Sequence, residues 1–292
     1  MERHNHRKLK EDRPVLALCY DFDRTLTPVD MQAQGFIQDA GFGVEEFWQR
    51  CDEEIARHSM DGISAYMKFM KETAEGKIHM TREGLKAYGK KIQLDPGVQD
   101  WFSRIRAYGE AQGVIVEHYI ISSGLREMIE GTAIAGEFEE IYASYYAYNS
   151  QGLAVWPAQI VNYTNKTQYL FRIEKGVLDM TDPGVNDYIP QEDMRVPFSH
   201  MVYLGDSDTD IPSMKLVQSN GGHAIGVYDP DTGDKSKVQR MLRDGRIGCY
   251  APADYREGSE LDRLLKLIID TTAHSAKTEA LCRKCREESL EA

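Results

Sequence analysis

Apolar residues in this chain follow two rhythms. Short, nearly unbroken runs occur at Val15-Leu16-Ala17-Leu18-Cys19-Tyr20, at 114–121, at Met201-Val202-Tyr203-Leu204 and at Ala224-Ile225-Gly226-Val227-Tyr228. Runs of this length without alternation fit strands covered on both faces, the habit of parallel sheets. Between them, apolar residues recur every three or four positions: Phe47, Trp48, Cys51 and Ile55; Ile63, Tyr66, Met67 and Met70; Val98, Trp101, Phe102, Ile105 and Tyr108; Leu261, Leu264, Leu265 and Ile268. That spacing predicts helices. A further strand spans 141–148, and Asn149-Ser150-Gln151-Gly152 turns it into a hairpin with Leu153-Ala154-Val155-Trp156. Ile247-Gly248-Cys249-Tyr250 completes the sheet, and a helix from Thr164-Asn165-Lys166 closes at Lys175-Gly176. Strands alternating with helices imply an α/β fold with a doubly wound parallel sheet. From about 28 to 97 helical spacing dominates and strand signals are scarce, which predicts a small helical insert. Its aromatics and methionines read first as core.

The 292 residues are 41% hydrophobic and 28% charged, a globular composition long enough for one large domain or a main domain with a smaller one. No apolar stretch approaches the roughly 18 residues of a membrane span. The basic start, Met1 to Lys10, leads into Glu11-Asp12-Arg13-Pro14 with no signal-peptide core, and reads as a frayed terminus of a cytoplasmic protein. A net charge of −12 argues against general nucleic-acid binding, which needs a basic face. The five cysteines are scattered, which suits a reducing compartment. Cys282 and Cys285, without nearby histidines, read as unmodified thiols on a charged helix rather than a zinc site.

The chemistry gathers at strand ends. The first run delivers Asp21-Phe22-Asp23-Arg24-Thr25, with Asp21 and Asp23 two apart, so an extended chain turns both to one side. One carboxylate can attack while the other handles a proton. Two buried like charges need compensation, which predicts a nearby cation. The second run ends at Ser122-Ser123-Gly124 with a helix expected immediately after, from Leu125 to about Glu130, where backbone N–H groups would receive an anion. The run 201–204 delivers Gly205-Asp206-Ser207-Asp208-Thr209-Asp210. That run lacks the remaining acids of an EF-hand loop.

Taken together, these segments resemble the haloacid dehalogenase superfamily of phosphohydrolases over about 15–228, and within it the phosphoserine phosphatase-like branch with a helical cap after the first motif. The resemblance implies a Rossmann-like core of 1–28 and 97–292 and a cap of 29–96. It implies Asp21 as the nucleophile that becomes an aspartyl-phosphate, and Asp23 as the acid for the leaving group and then the base for water. It implies Thr25, Ser122, Ser123, Gly124 and Lys166 around the phosphate, and Mg2+ held by Asp21, the Asp23 carbonyl and Asp206. Asp210 would support from behind. Lys166 is preferred over Lys175 because it opens a helix, whereas Lys175 closes one. Asp210 is preferred over Asp208 on spacing.

The chain departs from phosphoserine phosphatases at Ser207, where a glycine usually follows the aspartate, and in an added segment around 145–165. Serine specificity is therefore not implied. The expected substrate is a small phosphorylated metabolite, with Arg50, Arg57, Gln34, Glu54, Trp48 and Tyr66 as unranked specificity candidates in the insert. Asp23 argues against dehalogenation, which has no oxyanion leaving group to protonate. Two alternatives stay open: a phosphotransferase or phosphomutase sharing the same intermediate, and a binding protein without turnover. Sequence leaves the oligomeric state unknown.

Overall fold

A computed structural model describes residues 7–290 of the chain. The first six residues of the basic terminus lie outside the described residues. From Arg7 onward, the segment expected to fray is tied down. Arg7 donates to the carbonyls of Lys175 and Asp193, and Lys8 bonds both Glu117 and Glu139.

Seven strands are described: β1 (Val15–Tyr20), β2 (Ile115–Leu125), β3 (Glu140–Tyr148), β4 (Ala154–Gln159), β5 (Met201–Gly205), β6 (His223–Tyr228) and β7 (Cys249–Pro252). They form one sheet in the order β4-β3-β2-β1-β5-β6-β7. All neighbours run parallel except β4, which returns antiparallel along β3 as the expected hairpin. The doubly wound parallel sheet is therefore present, with an antiparallel strand at one edge.

Every residue of β1 is buried. Leu16, Leu18 and Tyr20 pack into one core with Trp101, Phe102 and Leu265, while Val15, Ala17 and Cys19 pack into the other with Leu170, Met214 and Val217. Alternate side chains of a strand point to opposite faces, so an unbroken apolar run is what a strand with helices on both sides requires.

The helices are α1 (Phe36–Asp39), α2 (Val44–His58), α3 (Gly62–Thr73), α4 (Arg82–Gly89), α5 (Val98–Gln112), α6 (Arg126–Glu130), α7 (Thr167–Lys175), α8 (Ile211–Ser219), α9 (Ser236–Arg243) and α10 (Glu260–Leu290). The first four lie between β1 and β2, where the helical insert was expected. One local expectation is corrected. β2 does not end at Ser122 but runs through Leu125, and α6 begins only at Arg126. The Ser-Ser-Gly segment is thus the last part of a strand, not the mouth of a helix. Cys282 and Cys285 are free and exposed on α10. No described helix is long and apolar enough to cross a membrane.

β1 pairs with β2 on one side and β5 on the other, so the strand order reverses at β1. In open α/β sheets the crevice at such a switch point, outside the carboxyl ends of the strands, is where ligands bind. Asp21, Ser122 and Asp206 follow or end the strands that meet there.

Candidate active site

Asp21 is the first residue beyond β1. Its N–H donates to the Leu204 carbonyl at 2.9 Å, so pairing with β5 continues into the loop. Its Oδ1 accepts the Phe22 N–H at 2.7 Å and its Oδ2 lies 3.1 Å from Lys166 Nζ. Lys166 caps α7 and is fully buried, reaching Asp21 from behind; the same ammonium donates to Asp210 Oδ1 at 2.7 Å. Lys175, at the far end of α7, donates instead to the carbonyls of Val185 and Asp187.

Asp210 is saturated. Oδ1 also accepts the Tyr203 hydroxyl at 2.9 Å, and Oδ2 accepts both the N–H and the hydroxyl of Ser207, at 3.0 and 2.8 Å. With four donors on two oxygens it holds Lys166 in place. Gly205 makes room for this arrangement, since a Cβ there would stand 2.5 Å from Asp210 Oδ2. Asp208 is exposed and faces Arg240 at 3.8 Å, away from the cluster.

Asp23 turns differently from Asp21. Its Oδ1 accepts the Met31 N–H at 2.7 Å. Gly124 lies against its other oxygen, and a Cβ on Gly124 would come within 2.9 Å of Asp23 Oδ2. Arg24, which follows, has φ of 56°, a left-handed conformation costing about 1–2 kcal/mol outside glycine. Its guanidinium is held by both oxygens of Asp30, each at 2.9 Å.

Ser122 is buried, and its hydroxyl accepts the Gly124 N–H at 3.0 Å. The Ser123 carbonyl accepts from Tyr66 of α3 at 2.7 Å, while the Ser123 hydroxyl is buried without a partner. Thr25 stands beneath the loop rather than on the cavity wall. It is fully buried, its hydroxyl has no partner, and its carbonyl accepts the Tyr255 hydroxyl at 2.6 Å.

Asp21, Asp23, Ser122, Ser123, Gly124 and Asp206 open onto one cavity of about 470 Å3. Lys166 and Asp210 support it from within the core. Its opposite wall comes from α2 and α3: Trp48, Asp52, Ile55, Ile63 and Tyr66. Of the six specificity candidates in the insert, Trp48 and Tyr66 line the cavity. Arg50 pairs with Glu53, Arg57 with Glu54, and Gln34 bonds the Gln93 N–H and the Val29 carbonyl. Sequence reasoning missed Gln32, Asp30, Asp52 and Lys237, which also line it. A lone polar residue in a helical segment gives no sign of which face it presents.

The electrostatics are those of negative charge confined together. Burial pushes the Asp21 carboxyl up to about 6, the Asp210 charge adds to this, and Lys166 opposes it. Burial raises Asp23 well above the usual carboxylate range, helped by Asp30 and Asp21. Asp206 is likewise raised, by burial and then by Asp210 and Asp21. Burial works against charge on Asp210 as well, but Lys166 and Ser207 outweigh it and hold that carboxyl below its ordinary value. Burial also disfavours the Lys166 ammonium, and Asp21 and Asp210 more than offset it.

Carboxylate oxygens of Asp21, Asp206 and Asp210 lie within 4.8 Å of one another. An all-oxygen set with surplus negative charge suits a hard divalent cation such as Mg2+. Because Asp210 is already saturated, Asp21 and Asp206 are the carboxylates with capacity to spare.

Residues 18–215 match the family model of the haloacid dehalogenase-like hydrolases. The chain belongs to that family. As a haloacid dehalogenase-like hydrolase it is 23% identical over 279 residues to a Borreliella burgdorferi protein named only as uncharacterized, covering 87% of this chain and 96% of that one. Among solved structures it is similar in fold to a HAD family hydrolase from Salmonella enterica serovar Typhi, with a TM-score of 0.56, 16% identity and coverage of 89% and 73% of the two chains. A substrate-bound phosphoserine phosphatase matches with a TM-score of 0.54 and 13% identity, over 88% of this chain and 99% of the other. A probable phosphoserine phosphatase from Vibrio cholerae matches at 0.56 and 13%, over 91% and 67%.

Proposed function

We propose that this hydrolase is a magnesium-dependent phosphomonoester hydrolase that passes through an aspartyl-phosphate on Asp21. The observation that carries the reading is Lys166 Nζ set between Asp21 and Asp210, with Asp23 and Asp206 opening onto the same cavity. A carboxylate attacking a phosphate ester meets like-charge repulsion, so positive charge must already be in place. Lys166 supplies one such charge. Mg2+ held by Asp21, Asp206 and the Asp23 carbonyl would supply the other, by neutralising charge on the phosphoryl oxygens.

In the first half-reaction an Asp21 oxygen bonds to phosphorus as the ester P–O bond breaks. Asp23, whose carboxyl burial and the nearby Asp30 and Asp21 push well above the usual carboxylate range, gives its proton to the departing alkoxide. In the second half Asp23, now a carboxylate, takes a proton from water. The water oxygen bonds to phosphorus, the Asp21 ester breaks, and inorganic phosphate leaves. Ser122 and the backbone N–H groups beside it would hold the phosphoryl oxygens. The helices of 29–96 act as the cap that shields the site from bulk water and confines it to small phosphorylated metabolites.

The test is phosphate release from p-nitrophenyl phosphate and a metabolite panel, with and without Mg2+, for the native protein and for Asp21→Asn and Asp23→Asn. The expected result is Mg2+-dependent release, lowered at least about 10⁴-fold by Asp21→Asn, the scale on which loss of a nucleophile acts. Release that survives Asp21→Asn would refute the aspartyl-phosphate route. Consumption of the ester with the phosphoryl group appearing on an added alcohol, and not as inorganic phosphate carrying oxygen from isotope-labelled water, would point to phosphotransfer instead.

A further inference from the structure

The cavity also constrains what the phosphate is attached to, an inference that rests on the phosphomonoester reading above. Beyond the acids at the strand ends, the space is bounded by Trp48 and Ile55 of α2 and by Ile63 and Tyr66 of α3, the two rings in edge contact at 6.2 Å. This is an apolar surface with aromatic edges and faces. The charged side chain that α2 and α3 contribute to the lining is Asp52.

The cations on those helices are engaged elsewhere. Arg50 pairs with Glu53, and Arg57 and Lys68 both pair with Glu54. None of the three lines the cavity. Arg24 does, but both oxygens of Asp30 hold its guanidinium. Lys237 lies on the Asp206 side, where its charge acts on that carboxylate. A second anionic group on the substrate, placed beyond the phosphate against α2 and α3, would therefore meet Asp52 and no cation from those two helices, the Arg24–Asp30 pair being matched and Lys237 standing on the Asp206 side. Like charges brought together in a binding site cost several kcal/mol and are a common means of rejecting a wrong partner.

Beside the Ser123 hydroxyl, the cavity lining holds a second unsatisfied polar group, in the turn before α1. Gln32 is 1% exposed, lines the cavity, and its Oε1 has no hydrogen-bond partner. A buried carbonyl left unpaired is costly, so a donor on the bound molecule would repair it.

We infer that the alcohol released by this enzyme carries no negative charge. It is a neutral or cationic alcohol with an apolar face and a hydrogen-bond donor for Gln32, and Asp52 acts as the residue that turns away carboxylated phosphate esters.

O-phosphoethanolamine and O-phosphoserine test this directly, because they differ by a single carboxylate. Both are assayed at low ionic strength with Mg2+, beside p-nitrophenyl phosphate as a reporter of the chemistry alone. The expected kcat/KM favours phosphoethanolamine by roughly tenfold or more, the modest end of what like-charge exclusion supplies. Asp52→Lys, an exposed helix position, should reverse the preference by lowering KM for phosphoserine. Gln32→Leu should raise KM for phosphoethanolamine. Turnover of p-nitrophenyl phosphate together with equal or better turnover of phosphoserine, or a ratio that Asp52→Lys leaves unchanged, overturns this inference while the hydrolase reading stands. No turnover of p-nitrophenyl phosphate by the Mg2+-supplied protein overturns the hydrolase reading, and this one with it.

Discussion

Lys166 is buried between Asp21 and Asp210, and its charge makes their ionisation tolerable in the core. Replacing it with methionine would leave two carboxylates facing each other without compensation. Removing one partner of a buried ion pair costs about 3–5 kcal/mol, so Lys166→Met should lose stability on that scale in urea unfolding as well as activity. An unchanged midpoint would mean that the ammonium is not holding the cluster together. Asp95 presents the opposite situation. It is buried, its Oδ2 has no partner, and burial with the charges of Asp229 and Asp231 raises its carboxyl to about 7. In the unfolded chain the same group titrates near 3.9. Between those values the unfolded chain has lost a proton that the folded chain keeps, so this residue makes stability fall as pH climbs from about 4 to about 7. Asp95→Asn should therefore melt above the native protein at pH 8, with the advantage shrinking toward pH 4. Identical melting differences at both pH values would rule that account out.

At the scale of elements, the hairpin and the helices of 29–96 are joined to each other as well as to the sheet. The buried Tyr146 of β3 donates to the Met67 carbonyl of α3 at 2.6 Å, and Ala154 N–H of β4 donates to the Met80 carbonyl at 2.8 Å. Thr81 and Leu153 form a bridge, and Asn162 bonds Asp61 at the start of α3. The segment around 145–165 thus braces the wall opposite the strand ends. Tyr146→Phe removes one buried hydrogen bond without changing the packing shape and should cost about 1 kcal/mol in denaturant unfolding. A neutral result would show that the hairpin lies on α3 without supporting it.

For the whole molecule, the acidic cluster is a place where the fold stores repulsion that a bound cation would relieve. Asp21 and Asp206 are both pushed up by burial and by the charge of Asp210, so binding Mg2+ should stabilise the folded state relative to the unfolded one. At a hundred times its dissociation constant a ligand contributes about 2.7 kcal/mol, which predicts a rise of several degrees in melting temperature at pH 7.5. Because Asp21 takes up a proton near pH 6, the rise should shrink below that pH. Asp206→Asn should abolish most of it. An equal rise in that variant would place the ion elsewhere.

The runs of six apolar residues at Val15 and four at Met201 became buried parallel strands, because a sheet covered on both faces shelters such unbroken runs, and this carried the acids to one edge. Asp21, Asp23, Ser122, Lys166, Asp206 and Asp210 were legible for that reason: each follows, ends or opens an element whose direction its neighbours dictate. The Ser-Ser-Gly segment was misread because glycine and serine signal a turn locally, whereas pairing with β3 kept the strand going to Leu125. Gln32, Asp52 and Lys237 carried no such signal. Whether an isolated polar side chain faces water or a cavity depends on how two distant elements pack, and that is settled by tertiary contacts such as those between α3 and the hairpin. Sequence determined the chemistry and its place at the strand ends. The tertiary structure alone decided the shape and charge of the wall facing it.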